Sequence, residues 1–321
     1  LNLALAGIKL ISIRTSRFSV YTSKLFTLKQ IITGLAIVLL FASCKNQSKT
    51  IVSATFIDSL ISNYSDTTIK QSIETDIKFW KDRIVSASPG FVNELKYASA
   101  LARRFHFSGD INDIITADSI LYISDKAFNH KETGPNMALV RNSILQHRFR
   151  DADSLFNVAR ALGIKQYESA ATGFDVAFEL GYYPVAEAEL KNIADPRDYG
   201  YNFRHAKLAH YNGDMDTAIA AMHLASVIAG NEIYLKQAAL ANEADLNLHN
   251  SNLQNANDLY MESIRLNATD LHSIMGLGWI ALVHDNNDSL AEKIFRFVQT
   301  KSKAPDVILK LSYVADKRGD N

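Results

Sequence analysis

The chain has 321 residues, 47% of them hydrophobic, with 34 basic and 34 acidic side chains and a single cysteine. With 16 Phe, 13 Tyr and 2 Trp, that apolar fraction excludes a disordered polymer and is ample for a buried core. One cysteine excludes an intramolecular disulfide framework and a multi-cysteine zinc site, and the balanced charge gives no global case for nucleic acid.

The N-terminal stretch differs in kind from the rest. From Leu1 to Ile57 there are seven basic residues and no acidic one. The apolar run Ile31 to Ala42 would span roughly 18 Å as a helix, too short for a bilayer core of about 30 Å and suited to a secretory signal. It is followed by FASC, ending at Cys44. That run resembles the lipobox of bacterial lipoproteins, with Phe41 where Leu is usual. The resemblance implies a signal peptide over residues 28–43, removed to leave a lipidated Cys44, with palmitate as the expected label and no other cofactor. Lysine and asparagine follow Cys44, with no retaining aspartate, so the expected address is the outer membrane of a Gram-negative cell. Residues 1–27, which open with Leu rather than Met, are set aside as a candidate non-native extension. Residues 44–68, rich in Ser, Thr and Asn, predict a flexible tether.

Helical spacing starts with Ile69, Ile73, Ile77, Trp80 and Ile84, which share one face. The prolines fall at breaks, and no segment alternates convincingly as a strand. Self-comparison then shows a repeat. ADSIL at Ala117 returns as ADSLF at Ala152, and the small residue recurs as Ala186, Ala218, Ala256 and Ala291, a period close to 34 residues. A large apolar residue follows each alanine by four positions: Leu121, Phe156, Leu190, Met222, Tyr260 and Phe295. Turns with Gly or Gly-Asp precede it at Gly109, Gly181 and Gly213.

This pattern resembles the tetratricopeptide repeat, most clearly in RHAKLAHYNGDMDTAIAAMHLA, from Arg204 to Ala225. The resemblance implies an all-α, right-handed α-solenoid of about six helix pairs over residues 69–321. Val140, Phe174 and Trp279 fall where a small residue is usual, unless a slip of one brings Gly173 and Gly278 into place. The helix opened by Pro305 is either a cap or the first helix of a pair whose partner is missing.

The chemistry is sparse. There is no HExxH, GxxxxGK[ST] or GxSxG motif. Gly276, Gly278 and Ala281 fit GxGxxA but lie in a repeat helix, so close packing is expected. DNNDS at Asp285 to Ser289 lacks the glycine and closing glutamate of a calcium loop and is expected to be a turn. His210, His249 and His284 recur in successive repeats. A shared metal would need ring nitrogens about 2.1 Å from one ion, while neighbouring helices lie roughly 8–10 Å apart, so these read as polar surface and no metal is expected.

The function this implies is a non-catalytic interaction scaffold that binds an envelope protein or an extended peptide, with no nucleic acid and no small-molecule cofactor. An alternative is a glycan-binding lipoprotein that partners an outer-membrane transporter, although Trp80 and Trp279 look buried. By the repeat resemblance, the groove would be lined from first helices by Arg141, Asp175, Glu179, Lys207, His210, Tyr211, Asp245, His249 and His284.

Overall fold

The structure, a computed structural model, describes residues 50–85, 90 and 92–319. The candidate extension, the signal peptide and Cys44 lie outside the described residues. Those residues form fifteen helices and no strand. Two precede the repeats, α1 (Ala54–Asn63) and α2 (Thr67–Lys81). Six antiparallel pairs follow: α3 (Val92–Ser108) with α4 (Ile111–Ala127), α5 (Thr133–Leu145) with α6 (Phe149–Leu162), and α7 (Gln166–Glu179) with α8 (Tyr183–Lys191). The series continues with α9 (Tyr199–Tyr211) and α10 (Met215–Ala229), α11 (Ile233–His249) and α12 (Leu253–Leu266), and α13 (Leu271–Val283) and α14 (Asp288–Gln299). A last helix, α15 (Pro305–Arg318), packs on α14.

The repeat is built by volume and by caps. All six repeat alanines are wholly buried, and the large residue four positions on is buried each time, so one small residue per pair admits the facing helix while its neighbour fills the interior. Three of the six second helices start on side-chain caps: Asp110, Asp214 and Asn287 each accept a backbone N–H from the first turn, worth about 1 kcal/mol apiece. In five pairs a residue with positive φ stands five positions before the alanine: His147, Gly181, Gly213, Ser251 and Asn286. The first pair differs. Gly109 lies eight positions before Ala117, so Ile114 takes the usual place and Ala117 sits almost a turn further along α4, both wholly buried. The slip at α13 is real, because Gly278 and not Trp279 faces the partner helix; a Cβ there would lie 2.6 Å from the Phe295 ring.

The flexible tether is a correction. From residue 51 the chain is folded: Ile57 is wholly buried, Val52 nearly so, and both join the core of α13 and α14, with Phe56, Leu60, Ile61 and Tyr64 packed around them. Burying Ile57 alone is worth about 1.5–3 kcal/mol, which outweighs the polar composition of the segment. The backbone N–H groups of Ile51 and Val52 both donate to the carboxylate of Asp285, at 2.9 Å each. The DNNDS turn is therefore a turn, as expected, and also a latch.

Because α1 rests on the last pairs while α2 packs on α3, the two ends of the array meet. A second contact joins them. Lys303 N–H donates to the Ser108 carbonyl at 2.7 Å, and its ammonium reaches Asp110 at 2.7 Å. Gly109 has φ +69° there, and a Cβ on it would lie 2.5 Å from the Ala304 nitrogen, so both conformation and space require glycine.

Candidate binding face on the first helices

The first helices α5, α7, α9, α11 and α13 are joined by polar contacts between neighbours. Arg141 lies 3.8 Å from Glu168 of α7. Asp175 is held in a two-point pair by Arg204 of α9, at 3.0 and 2.6 Å. Glu179 accepts from Lys207 at 2.9 Å. His210 and His249 meet at 3.2 Å between ring nitrogens. Asp245 receives the Tyr260 hydroxyl at 2.5 Å and contacts His272 of α13 at 2.9 Å. Four of these contacts join residues 27–29 apart, shorter than the repeat, because each later helix contributes a residue more than a turn nearer its own N-terminus.

Eight of the nine expected groove residues therefore belong to this ladder or flank it, but as pairs rather than as one pocket. His284 is the exception. Its ring contacts Asp285 at 2.8 Å, placing it at the latch. The separation argued for the histidines is corrected as well: long side chains bridge helices that their axes keep apart, and the His210 and His249 rings stack with centroids 5.1 Å apart. Among the described residues no group of three or more His, Cys, Asp or Glu could hold a metal.

Electrostatics follow these contacts. The hydrogen bond to Asp245 raises the His272 pKa above the ordinary imidazole value. Burial, and then the charge of His249, lowers that of His210. Burial works to raise Asp245, but hydrogen bonds from His272 and Tyr260 prevail and hold its carboxyl below the usual range. Burial and Asp245 together push the Tyr260 phenol far up.

Beside the ladder lies an aromatic cluster that sequence reasoning found only in Tyr211. That half-exposed ring stacks on Tyr183 at 3.5 Å, Phe178 meets both edge-on, and the Lys207 ammonium sits 4.8 Å over Phe178. Arg204, Glu168 and His272 were also missed; their signal is opposite polarity at a spacing near 28. The tryptophans are half-buried rather than buried. Trp80 meets Phe79, and Trp279 lies beneath the Lys310 ammonium at 3.7 Å.

No protein-family profile matches the sequence, and no curated protein does. Solved structures match by shape. The APC/C hetero-tetramer Cut9–Hcn1 superposes with a TM-score of 0.55 at 16% identity, over 76% of this chain and 45% of that one. Yeast Tom70 gives 0.50 at 16% identity, over 72% and 48%. The chain thus spans less than half of either relative. At such identity the likeness shows the fold alone: an all-α, tetratricopeptide-like solenoid.

Proposed function

We propose that the chain is a non-catalytic scaffold, anchored in the outer membrane by lipid on Cys44, that holds an extended segment of an envelope protein across its first helices. The observation that supports this reading is the preorganised face itself. Tyr211 is already stacked and Lys207 already fixed by Glu179, so little ordering entropy is lost when a partner docks on them. A rigid aromatic beside a charge is the kind of group that dominates binding energy in protein interfaces. A glycan ligand has less support, since neither tryptophan is a free platform for a sugar.

The reading has two tests. Growth on labelled palmitate should mark the wild type and leave Cys44→Ser unlabelled; equal labelling of both removes the anchor. A partner captured by cross-linking should bind the Lys207→Ala/Tyr211→Ala variant at least tenfold more weakly, about 1.4 kcal/mol, with helicity unchanged. Undiminished binding by that folded variant refutes this face as the interface.

A further inference from the structure

Helix α4 has its polarity partly inverted. Its three aspartates are turned inward: Asp113, Asp118 and Asp125 are buried, held by Arg104 at 2.7 Å, Arg148 at 2.7 Å and His130 at 2.6 Å. Four large apolar residues are turned outward instead. Ile111, Ile115, Tyr122 and Ile123 are 50, 53, 46 and 59% exposed. Of the exposed residues on this helix only Lys126, in its last turn, is charged. Other second helices are ordinary: α12 exposes Gln254, Asp258, Glu262 and Arg265, and α14 exposes Lys293, Arg296 and Gln299. Burying carboxylates while exposing isoleucines works against stability on both counts, so folding alone does not account for the outward stripe of α4.

The stripe has the size and order of a helix-pairing surface. Four side chains about half exposed put roughly 400 Å² of apolar surface on one helix, on the scale of the largest patches that monomeric proteins carry, which are often functional. Ser119 at its centre and Thr116 at its edge donate their hydroxyls to the Ile115 and Asn112 carbonyls, at 2.9 and 2.7 Å. A neighbour therefore meets polar atoms that already have a partner. The order is palindromic. Turned end for end about the level of Ala117, the stripe sets Ile111 beside Ile123, Asn112 beside Tyr122 and Ile115 beside Ser119 of a second α4, layers of the kind that antiparallel helices pack in. Bulky residues then close both ends, while serine near the middle lets the helices approach. Charge favours the same match. In a twofold contact the one cation stands at the end of each stripe, so the two Lys126 residues lie roughly 27 Å apart, well beyond a Debye length of about 8 Å.

We infer that α4 is a self-association surface, on which two copies of the chain pair their α4 helices antiparallel across a twofold axis level with Ala117. A helix of another protein with charges on its contact face would leave them unpaired against this stripe, whereas a second copy brings none to its centre. One helix on one helix is small by the standard of stable complexes, so the dimer is weak, with a Kd on the order of micromolar. The stripe lies on a second helix, so pairing does not rest on the scaffold reading and either can fail alone.

Sedimentation equilibrium of the full chain, from low to high micromolar concentration, tests this. The mean mass should rise from one chain toward two. Ile115→Glu, and separately Ser119→Lys, should each weaken association at least tenfold, because each sets a charge in the contact twice per dimer. An equimolar mixture of these two variants should recover association, since the introduced acid and base then meet once and the other contact is native. Val227→Glu, at an equally exposed apolar position on α10, should change nothing; circular dichroism checks that all three variants fold. A wild type that stays monomeric at every concentration overturns the inference, whatever else covers the stripe. So does undiminished association of the folded Ile115→Glu variant, an equal loss in Val227→Glu, or a mixture that associates no better than its components.

Discussion

Tyr260 shows how much one side chain carries in this solenoid. Its ring lies so close against Gly276 that a Cβ there would overlap it, and its hydroxyl holds Asp245, which in turn holds His272. Gly276→Ala should therefore displace the ring and cost about 1–3 kcal/mol, measured as a lower urea midpoint with an unchanged slope. The histidines predict a pH dependence of two signs. His272 has a raised folded pKa, so its contribution is fully present below the unfolded value of 6.5 and is lost as pH rises through the folded value. His210 has a lowered one, so its contribution is present above 6.5 and is lost as pH falls toward the folded value. Urea midpoints should show His272→Gln most destabilising near pH 5, and His210→Gln relatively more so near pH 8 than near pH 5. The glycines were legible as packing sites because a GxGxxA run inside a helix has no phosphate cradle to form. The partners of Asp245 and Asp175 were not, because their spacing depends on how far one helix slides past the next.

At the scale of elements, the sequence registers what each pair buries and loses what joins distant pairs. The alanine with a large residue four positions on is periodic, so six pairs could be read directly. Helix α1 carries Ile57, Leu60 and Ile61 at helical spacing, with Tyr64 just past its end, yet its serines and threonines resemble a tether and nothing local announces its seat. Asp285 likewise reads as an ordinary turn residue. Its side chain is 1% exposed and accepts two backbone N–H groups from residues more than 230 positions away. Asp285→Ala should release them at a cost of about 2–3 kcal/mol, because charge-assisted hydrogen bonds are lost and two donors are left without partners. Hydrogen exchange should show the Ile51 and Val52 amides losing protection while α7 to α10 keep theirs; retained protection would mean that the apolar seat of α1 holds the segment without the latch.

For the whole molecule, meeting ends change what kind of polymer this is. A solenoid is ordinarily a line of nearest neighbours that frays from both termini. Here the Ser108 to Asp110 turn bears on Lys303 and Ala304, and α1 rests on the final pairs, so the terminal repeats have neighbours on both sides. Gly109→Val should open this seam: its Cβ would strike the Ala304 backbone, and φ +69° is strained for a β-branched residue. Small-angle scattering should report a larger radius of gyration with helicity unchanged; an unaltered radius would show the closure to be held by α1 alone.

The placement of α1 also sets an order of events at synthesis. Its seat is made by residues such as Phe295 and Val298, nearly 240 positions later than Ile57. At about 5–20 residues per second, a growing chain exposes Val52, Phe56 and Ile57 for roughly 10 to 50 s before the surface that covers them exists. Among the described helices, the first to be made is thus among the last to find its place, and during that interval its apolar face stays uncovered.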